Sequence, residues 1–190
     1  MVLHTLDAFA AVERLAGTLV VVSDGDDFFD AFSARVVNCG GATRAKSVSN
    51  GLGALLVHGA VASDWVLVHD AARCLITANQ INALIDACVG DGVGGLLALP
   101  LPDTLKSANN GRVAATLERS DKWLAQTPQM FRLGALKAAL QAAGDAVTDE
   151  SSAMEFVGLS PLLVEGSAQN FKVTYPQDFA LAESVLLSRG

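Results

Sequence analysis

Long apolar runs, paired cysteines and clustered basic residues are all missing from this chain, and each absence excludes a class of protein. The longest mildly apolar stretch, Gly94 to Leu101, is far shorter than the roughly 20 residues a helix needs to cross a bilayer. The opening residues, Met1-Val2-Leu3-His4-Thr5-Leu6-Asp7, contain no basic n-region, long apolar h-region or small-residue cleavage site. No signal peptide is expected from them, and the cytoplasm is the default compartment. The three cysteines, Cys39, Cys74 and Cys88, form neither a C-x-x-C metal pair nor an even disulfide set, so each reads as a small buried hydrophobe. Thirteen Lys and Arg are scattered among 20 Asp and Glu, for a net charge of −7. Such a chain repels nucleic acid, although a few well-placed cations suffice for a small anion.

What is present describes a folded enzyme-sized domain. The 190 residues are 51% hydrophobic and 17% charged, which places them outside the disordered range and allows one domain with a sizeable core. Two periodicities alternate along the chain. Helical spacing covers Leu3 to Leu15, Ala45 to Val57, Ala78 to Val89, Ala135 to Ala143, Ser152 to Val157 and Pro176 to Leu187, and a further helix is expected from Asp26 to Ala34. Short apolar runs at Thr18 to Val22, Arg35 to Val37, Trp65 to Val68 and Gly92 to Leu99 read as strands, and Asn170 to Thr174 as another. Strands apolar along their whole length are covered on both faces. The expectation is therefore one α/β domain over 1–190, a Rossmann-like three-layer αβα arrangement with a mainly parallel sheet.

The segment from about Leu101 to Trp123 breaks this alternation. Two short alternating stretches flank Asn109-Asn110-Gly111, and Asn-Gly is the strongest short hairpin signal. The hairpin is either a plain surface loop or an arm that grips a partner subunit.

Ligands of open α/β sheets bind beyond the carboxyl ends of the strands. After Val68 come His69-Asp70-Ala71-Ala72-Arg73. Asp70 could hold a divalent cation between phosphate oxygens, and Arg73 could pair with a phosphate or with Asp70; a turn closed by a salt bridge is the alternative. His69 receives no role. After Val37 come Asn38-Cys39-Gly40-Gly41-Ala42-Thr43-Arg44, with Ser47 just inside the next helix. Small residues before a helix N-terminus leave backbone N–H groups for an acceptor, or simply make a capped turn; the Gly-Lys-Ser/Thr ending of a P-loop is absent. Asp24, Asp26 and Asp27 read as a solvated acidic loop. Thr127-Pro128-Gln129 and Thr148-Asp149-Glu150 each read as preceding a helix, with Thr148 as an N-cap, and Lys172 as an exposed strand position.

Taken in order, these strings resemble one family. Gly40-Gly41-Ala42-Thr43-Arg44 with Ser47-Val48 and Asn50-Gly51-Leu52 is followed by Val68-His69-Asp70-Ala71-Ala72-Arg73 and then Gln126-Thr127-Pro128-Gln129-Met130-Phe131. Thr148-Asp149-Glu150-Ser151-Ser152-Ala153 and Asn170-Phe171-Lys172-Val173-Thr174, with Pro176 and Asp178, complete the series. The set is similar to 2-C-methyl-D-erythritol 4-phosphate cytidylyltransferases, of the nucleotide-diphospho-sugar transferase fold type. The resemblance implies transfer of a cytidylyl group from CTP to methylerythritol phosphate with release of diphosphate. It implies Mg²⁺ on Asp70; Gly41, Ser47, Ala71 and Arg73 around the nucleotide; and Thr148 and Lys172 at the acceptor phosphate. It also implies a homodimer in which Arg119, on the arm, reaches that phosphate in the other subunit. Another sugar-phosphate nucleotidyltransferase, or a catalytically silent dimeric nucleotide-binding module, is the alternative.

Two departures stand out. Cys74 occupies a position where the family usually has proline. Family members also begin with a strand and a loop of the form Ala-Ala-Gly-x-Gly-x-Arg followed by Pro-Lys, whereas Val2 to Phe9 looks like the helix after that loop. The resemblance thus implies a chain lacking that loop, whose amides and two cations would stabilise charge on the leaving diphosphate. A diphosphate-release assay on these 190 residues, beside a version extended by the loop, is expected to show turnover lower by at least about a hundredfold. Equal turnover would show the loop to be dispensable.

Overall fold

The computed structural model describes residues 1–29 and 35–189, with Asp145 described by its backbone alone. The elements run α1 (Val2–Ala10), β1 (Leu19–Val22), β2 (Arg35–Asn38), α2 (Arg44–Val57), β3 (Trp65–Val68), α3 (Ala78–Cys88) and β4 (Gly94–Pro100). They continue with β5 (Leu105–Asn109), β6 (Arg112–Leu117), β7 (Trp123–Arg132), α4 (Leu133–Ala143), α5 (Glu150–Phe156), β8 (Leu162–Glu165) and α6 (Pro176–Leu187).

The central sheet has the order β3-β7-β4-β8. β7 is antiparallel to both β3 and β4, and β8 is parallel to β4, so β3, β4 and β8 point one way and β7 alone runs against them. β1 and β2 form a separate parallel pair. Between β1 and β3, which are not paired with each other, lies a cleft of about 300 Å³ bordered by α1 and α2.

Side-chain alternation on β3 explains the three layers. Trp65 and Leu67 pack into a core with Phe9 of α1 and Ile81, Leu84 and Ile85 of α3. Val66 and Val68 face the opposite core, built on Leu52 of α2, Leu136 and Leu140 of α4 and Met154 of α5. β7 divides the same way, with Met130 in the first core and Phe131 in the second. α6 closes a third cluster through Ala182, against Cys74, Leu75 and Val173. Cys74 and Cys88 are buried among apolar neighbours, as expected of small hydrophobes.

The hairpin forms where Asn-Gly predicted it. Asn110 and Gly111 both take positive φ, 50° and 74°, between the paired residues Asn109 and Arg112, the pattern of a type I′ turn. All six residues of β6 are exposed, so the arm stands away from both cores.

Three local expectations are corrected. Thr127-Pro128-Gln129 lies inside β7 rather than ahead of a helix. A proline argues against a central strand, because it removes a ladder donor. Here Pro128 falls where the β4–β7 register shifts between Leu96 and Ala98, and beyond Gln129, where the β3 pairing ends. Asn170 to Thr174 is irregular, because its main chain bonds a loop, Val173 N–H to Ala72 O at 2.8 Å, instead of a strand. β8 is an additional edge strand whose four residues carried no clear alternation. Of the helix expected from Asp26 to Ala34, Asp26 and Asp27 are irregular, Phe28 and Phe29 lie in a turn, and residues 30–34 lie outside the described residues.

One glycine sets the approach of β4 to β7. Gly94 has φ 111°, and a Cβ there would sit 2.1 Å from Met130 O. Gly94→Ala is expected to lose about 1–3 kcal/mol from backbone strain alone, before the collision is counted. Urea unfolding checks this; a variant as stable as the parent would show that the strands can part freely.

Candidate active site

Three loops converge at the carboxyl end of β3, and charge holds them together. Asp70 follows the strand by two residues, Arg44 opens α2, and Glu150 opens α5. Arg44 Nε donates to Asp70 Oδ1 at 2.7 Å, while Nη1 and Nη2 donate to Glu150 Oε1 and Oε2 at 2.7 and 2.9 Å. Lys172 Nζ reaches Asp70 Oδ2 at 3.0 Å. The Glu150 side chain is 0% exposed, Asp70 is 16% and Lys172 is 46%, so the chain of charges runs from the interior to solvent.

This arrangement sets the charge states. Burial works to raise the Asp70 carboxyl, but the Arg44 and Lys172 cations outweigh it and hold the group below its usual range. Burial pushes Glu150 up against the pull of Arg44. The two-point geometry nevertheless calls for its carboxylate, because each oxygen accepts from a guanidinium nitrogen. Burial disfavours the Arg44 charge, but Glu150 and Asp70 together raise it above its ordinary value.

The turn carrying Asp70 is fixed by a neutral histidine. His69 Nε2 lies 3.1 Å from the Arg73 carbonyl, which can only accept, so Nε2 carries the proton. Nδ1 then accepts from the Thr127 hydroxyl at 3.0 Å, whose oxygen accepts the Asp70 N–H at 3.1 Å. Burial beneath Phe9, with ring centroids 5.3 Å apart, takes the imidazole down to about 4.

Arg73 is turned away from the Asp70 carboxylate. Its Nη1 donates to Asn170 O at 2.7 Å and its Nη2 to Ala125 O at 3.1 Å, so it braces the loop before α6 against β7. The alternative of an Arg73–Asp70 side-chain pair is replaced by Arg44. The fully buried Asn170 completes this brace through Nδ2, donating to Thr127 O at 2.9 Å.

The glycine loop is tied to its own helix. Gly41 N–H donates to Ser47 Oγ at 2.9 Å, and that hydroxyl donates to Thr43 O at 3.1 Å. A Cβ on Gly41 would meet the Lys46 stem at 2.4 Å, so only glycine fits. Ser47, Arg44, His69 and Asp70, with Ala71 beside them, form the polar rim of the cleft, whose other lining is mostly apolar.

α5 is bolted to β7. Its N-cap is Asp149, not Thr148: Asp149 Oδ1 accepts from Ser152 N at 3.0 Å, and Thr148 is exposed one residue earlier. Asp149 Oδ2 also accepts from Gln129 Nε2 at 2.9 Å, and Gln129 Oε1 accepts from Ser151 N at 2.8 Å. Of the expected site residues, Asp70 and Lys172 are thus in direct contact, Gly41 and Ser47 join across one turn, and Ala71 shares the rim. Arg119 lies on the exposed arm, donating to Leu101 O at 3.4 Å, and no bond joins it to the Asp70 cluster within one chain. Sequence reasoning gave no role to Arg44, Glu150, His69 or Thr127, although all four lie in the motif strings. Asp24, Asp26 and Asp27 are exposed, and among the described residues no three His, Cys, Asp or Glu side chains could jointly hold a metal ion.

A three-layer αβα sheet with a glycine loop, an acid beyond β3 and an outlying arm defines a nucleotidyltransferase architecture. Comparison with known proteins narrows the class. The profile of the 2-C-methyl-D-erythritol 4-phosphate cytidylyltransferase (IspD) family matches residues 1–188, and the chain belongs to this family. It is 71% identical over its full length to a bifunctional enzyme IspD/IspF of Albidiferax ferrireducens, of which it spans 46%. It is 53% identical over 98% of its length to the 2-C-methyl-D-erythritol 4-phosphate cytidylyltransferase of Chromobacterium violaceum, spanning 84% of that protein. Among solved structures, a 4-diphosphocytidyl-2C-methyl-D-erythritol synthase superposes with TM-score 0.91 at 44% identity, covering 96% of this chain and 88% of the other.

Asp149 gives the site a signature in acid. Burial raises its carboxyl, but Gln129, Ser152 and Ser151 together hold it below the ordinary value of 3.8. A depressed folded pKa contributes stability above the unfolded value and loses it as pH falls through the folded one. Asp149→Asn is therefore expected to be less stable than the parent at pH 7 by about 1–3 kcal/mol, with the gap closing below about pH 4. Thermal melts across pH 2.5–7 check this, and a pH-independent gap would contradict it.

Proposed function

We propose that the protein transfers the cytidylyl group of CTP to 2-C-methyl-D-erythritol 4-phosphate. The products are 4-diphosphocytidyl-2-C-methyl-D-erythritol and diphosphate, and the reaction serves isoprenoid precursor synthesis. The observation that carries this reading is an ionised Asp70 at the rim of the cleft, touched by Lys172, in a chain of the IspD family.

The chemistry asks little covalent work of the protein. An oxygen of the acceptor phosphate bonds to the α-phosphorus while the bond to the bridging diphosphate oxygen breaks, and that oxygen leaves with the electron pair. The nucleophile is already anionic, so positioning and charge neutralisation take the place of a protein base. In this reading Gly41, Ser47 and Ala71 line the cytidine. Lys172 and Thr148 hold the acceptor phosphate, and Arg73, expected beside the nucleotide, instead braces the loop that carries Lys172.

Mg²⁺ fits Asp70: the cation suits one or two carboxylates supplemented by substrate phosphates, and Asp70 is ionised with one oxygen toward solvent-exposed Lys172. When bound, it would neutralise charge on the triphosphate. Asp70 would hold it, and Lys172, released from Asp70, would turn to the incoming phosphate.

The exposed arm serves a homodimer, with Arg119 of each subunit completing the acceptor site of the other. Both substrates are water-soluble anions, in keeping with a cytoplasmic enzyme, and no helix among the described residues is long and apolar enough to cross a membrane.

Mixing variants tests the shared site. In the version extended by the N-terminal loop, Arg119→Ala and Lys172→Ala are each expected to lose most turnover with methylerythritol phosphate. Refolded together in equal amounts they should recover about a quarter of the parental rate, because one site in each mixed dimer is intact. No recovery would remove Arg119 from the partner's site. Turnover with UTP or GTP equal to that with CTP would remove the cytidine assignment.

A further inference from the structure

Arg44 has three nitrogens facing two carboxylates, and the division between them is unequal. Glu150 takes both terminal nitrogens, at 2.7 and 2.9 Å, and leaves only Nε for Asp70, at 2.7 Å. A guanidinium free to choose would offer a fork of two donors to Asp70 and occupy both its oxygens. Glu150 prevents this from a fully buried position, one residue after a cap that Gln129 bolts to β7. Asp70 is left with one oxygen on Nε and the other on Lys172, a 46% exposed side chain that can swing away.

We propose that Glu150 is a positioning residue: by holding both terminal nitrogens of Arg44, it keeps the guanidinium from forking onto Asp70 and leaves one Asp70 oxygen open to the cation–nucleotide complex. The inference rests on the role given to Asp70 above and adds the reason why an arginine beside it does not quench it. Arg44 still contributes through Nε, which orients the carboxylate and keeps it ionised.

Glu150→Gln removes one acceptor and turns an amide NH₂ toward a guanidinium nitrogen. One terminal nitrogen is freed, and the guanidinium is expected to fork onto Asp70. The first measurement is the crystal structure of E150Q, in which Arg44 should meet Asp70 through two nitrogens. Contact through Nε alone would overturn the proposal, whatever the protein binds.

The second measurement follows Mn²⁺·CTP by enhancement of water-proton relaxation, with parent and variants all extended by the N-terminal loop. E150Q should bind it roughly 10–100-fold more weakly, the usual range for loss of a group that orients a metal ligand. The double variant E150Q/R44M should bind more tightly than E150Q, because the competing guanidinium is gone, but stay short of the parental value, because Nε no longer orients Asp70. A purely structural role for Glu150 gives the opposite order, with the double variant no better than E150Q, and that result would overturn the proposal. If E150Q does not fold, Glu150→Asp, which keeps the buried pair charged but shortens its reach, carries the test: Arg44 should meet Asp70 through two nitrogens in its crystal structure, and contact through Nε alone overturns the proposal. Failure of the parent to take up Mn²⁺·CTP would overturn the Asp70 cation role and this use of Glu150 together, whereas E150Q binding like the parent overturns the present proposal alone.

Discussion

The guanidinium of Arg44 is the group on which the arrangement of this site depends. It stands at the first position of α2 and bonds acids from two distant parts of the chain, one after β3 and one at the start of α5. Glu150 could not be buried as a carboxylate without it, since an unpaired buried charge costs several kcal/mol. Arg44 in turn would lose its orientation without Glu150. Such pairs add little net stability over an apolar replacement, but breaking one partner costs about 3–5 kcal/mol, so the two residues stand or fall together. What the pair achieves is registration: three loops that belong to different βα units are held within hydrogen-bond reach of one another.

Around this centre, neutral hydrogen bonds do the aligning that charge cannot. Charge attraction is broad in angle, whereas the acceptor of a hydrogen bond must lie near the line of its donor. His69, Thr127 and the Asp70 N–H form a directional chain in which each group has one partner for each role. Gln129 performs the same function for α5, meeting both its cap and its Ser151 N–H. Both Thr127 and Gln129 come from β7, the one reversed strand, and the irregularity at Pro128 is what separates their tasks. Thr127 serves the turn after β3, while Gln129 serves α5. The Rossmann-like sheet thus carries its polar positioning groups on the strand that departs from its prevailing direction.

The glycine loop and the charged cluster are joined through the start of α2. Ser47 and Gly41 close a small ring at the start of α2, and Arg44, three residues before Ser47, faces the acids. A single helix N-terminus therefore contributes both a backbone-lined surface and the central cation. Its positive dipole end adds to the attraction for an anionic ligand.

Much of this was legible from the residues alone, because the signals were local. Period-two and period-3.6 patterns placed most elements, Asn110-Gly111 placed the arm, and Pro176 with Asp178 placed the start of α6, since each depends only on near neighbours. Asp70 stood out by type and position, and Lys172 by family resemblance alone. Only tertiary structure decided the partners. Nothing near Asp70 in sequence distinguishes Arg44 from Arg73, and the nearer arginine points elsewhere because Asn170 and Ala125 present carbonyls to it. Glu150 read only as part of a segment ahead of a helix, and its burial came with the docking of α5 against β7. β7 itself was hidden because its buried polar residues, Gln126, Thr127 and Gln129, mask the apolar pattern of a central strand. Sequence by itself determined the local geometry and the chemical types at hand; which charges meet was decided by packing, because ion pairs and buried hydrogen bonds form between residues brought together from distances of up to about a hundred positions along the chain.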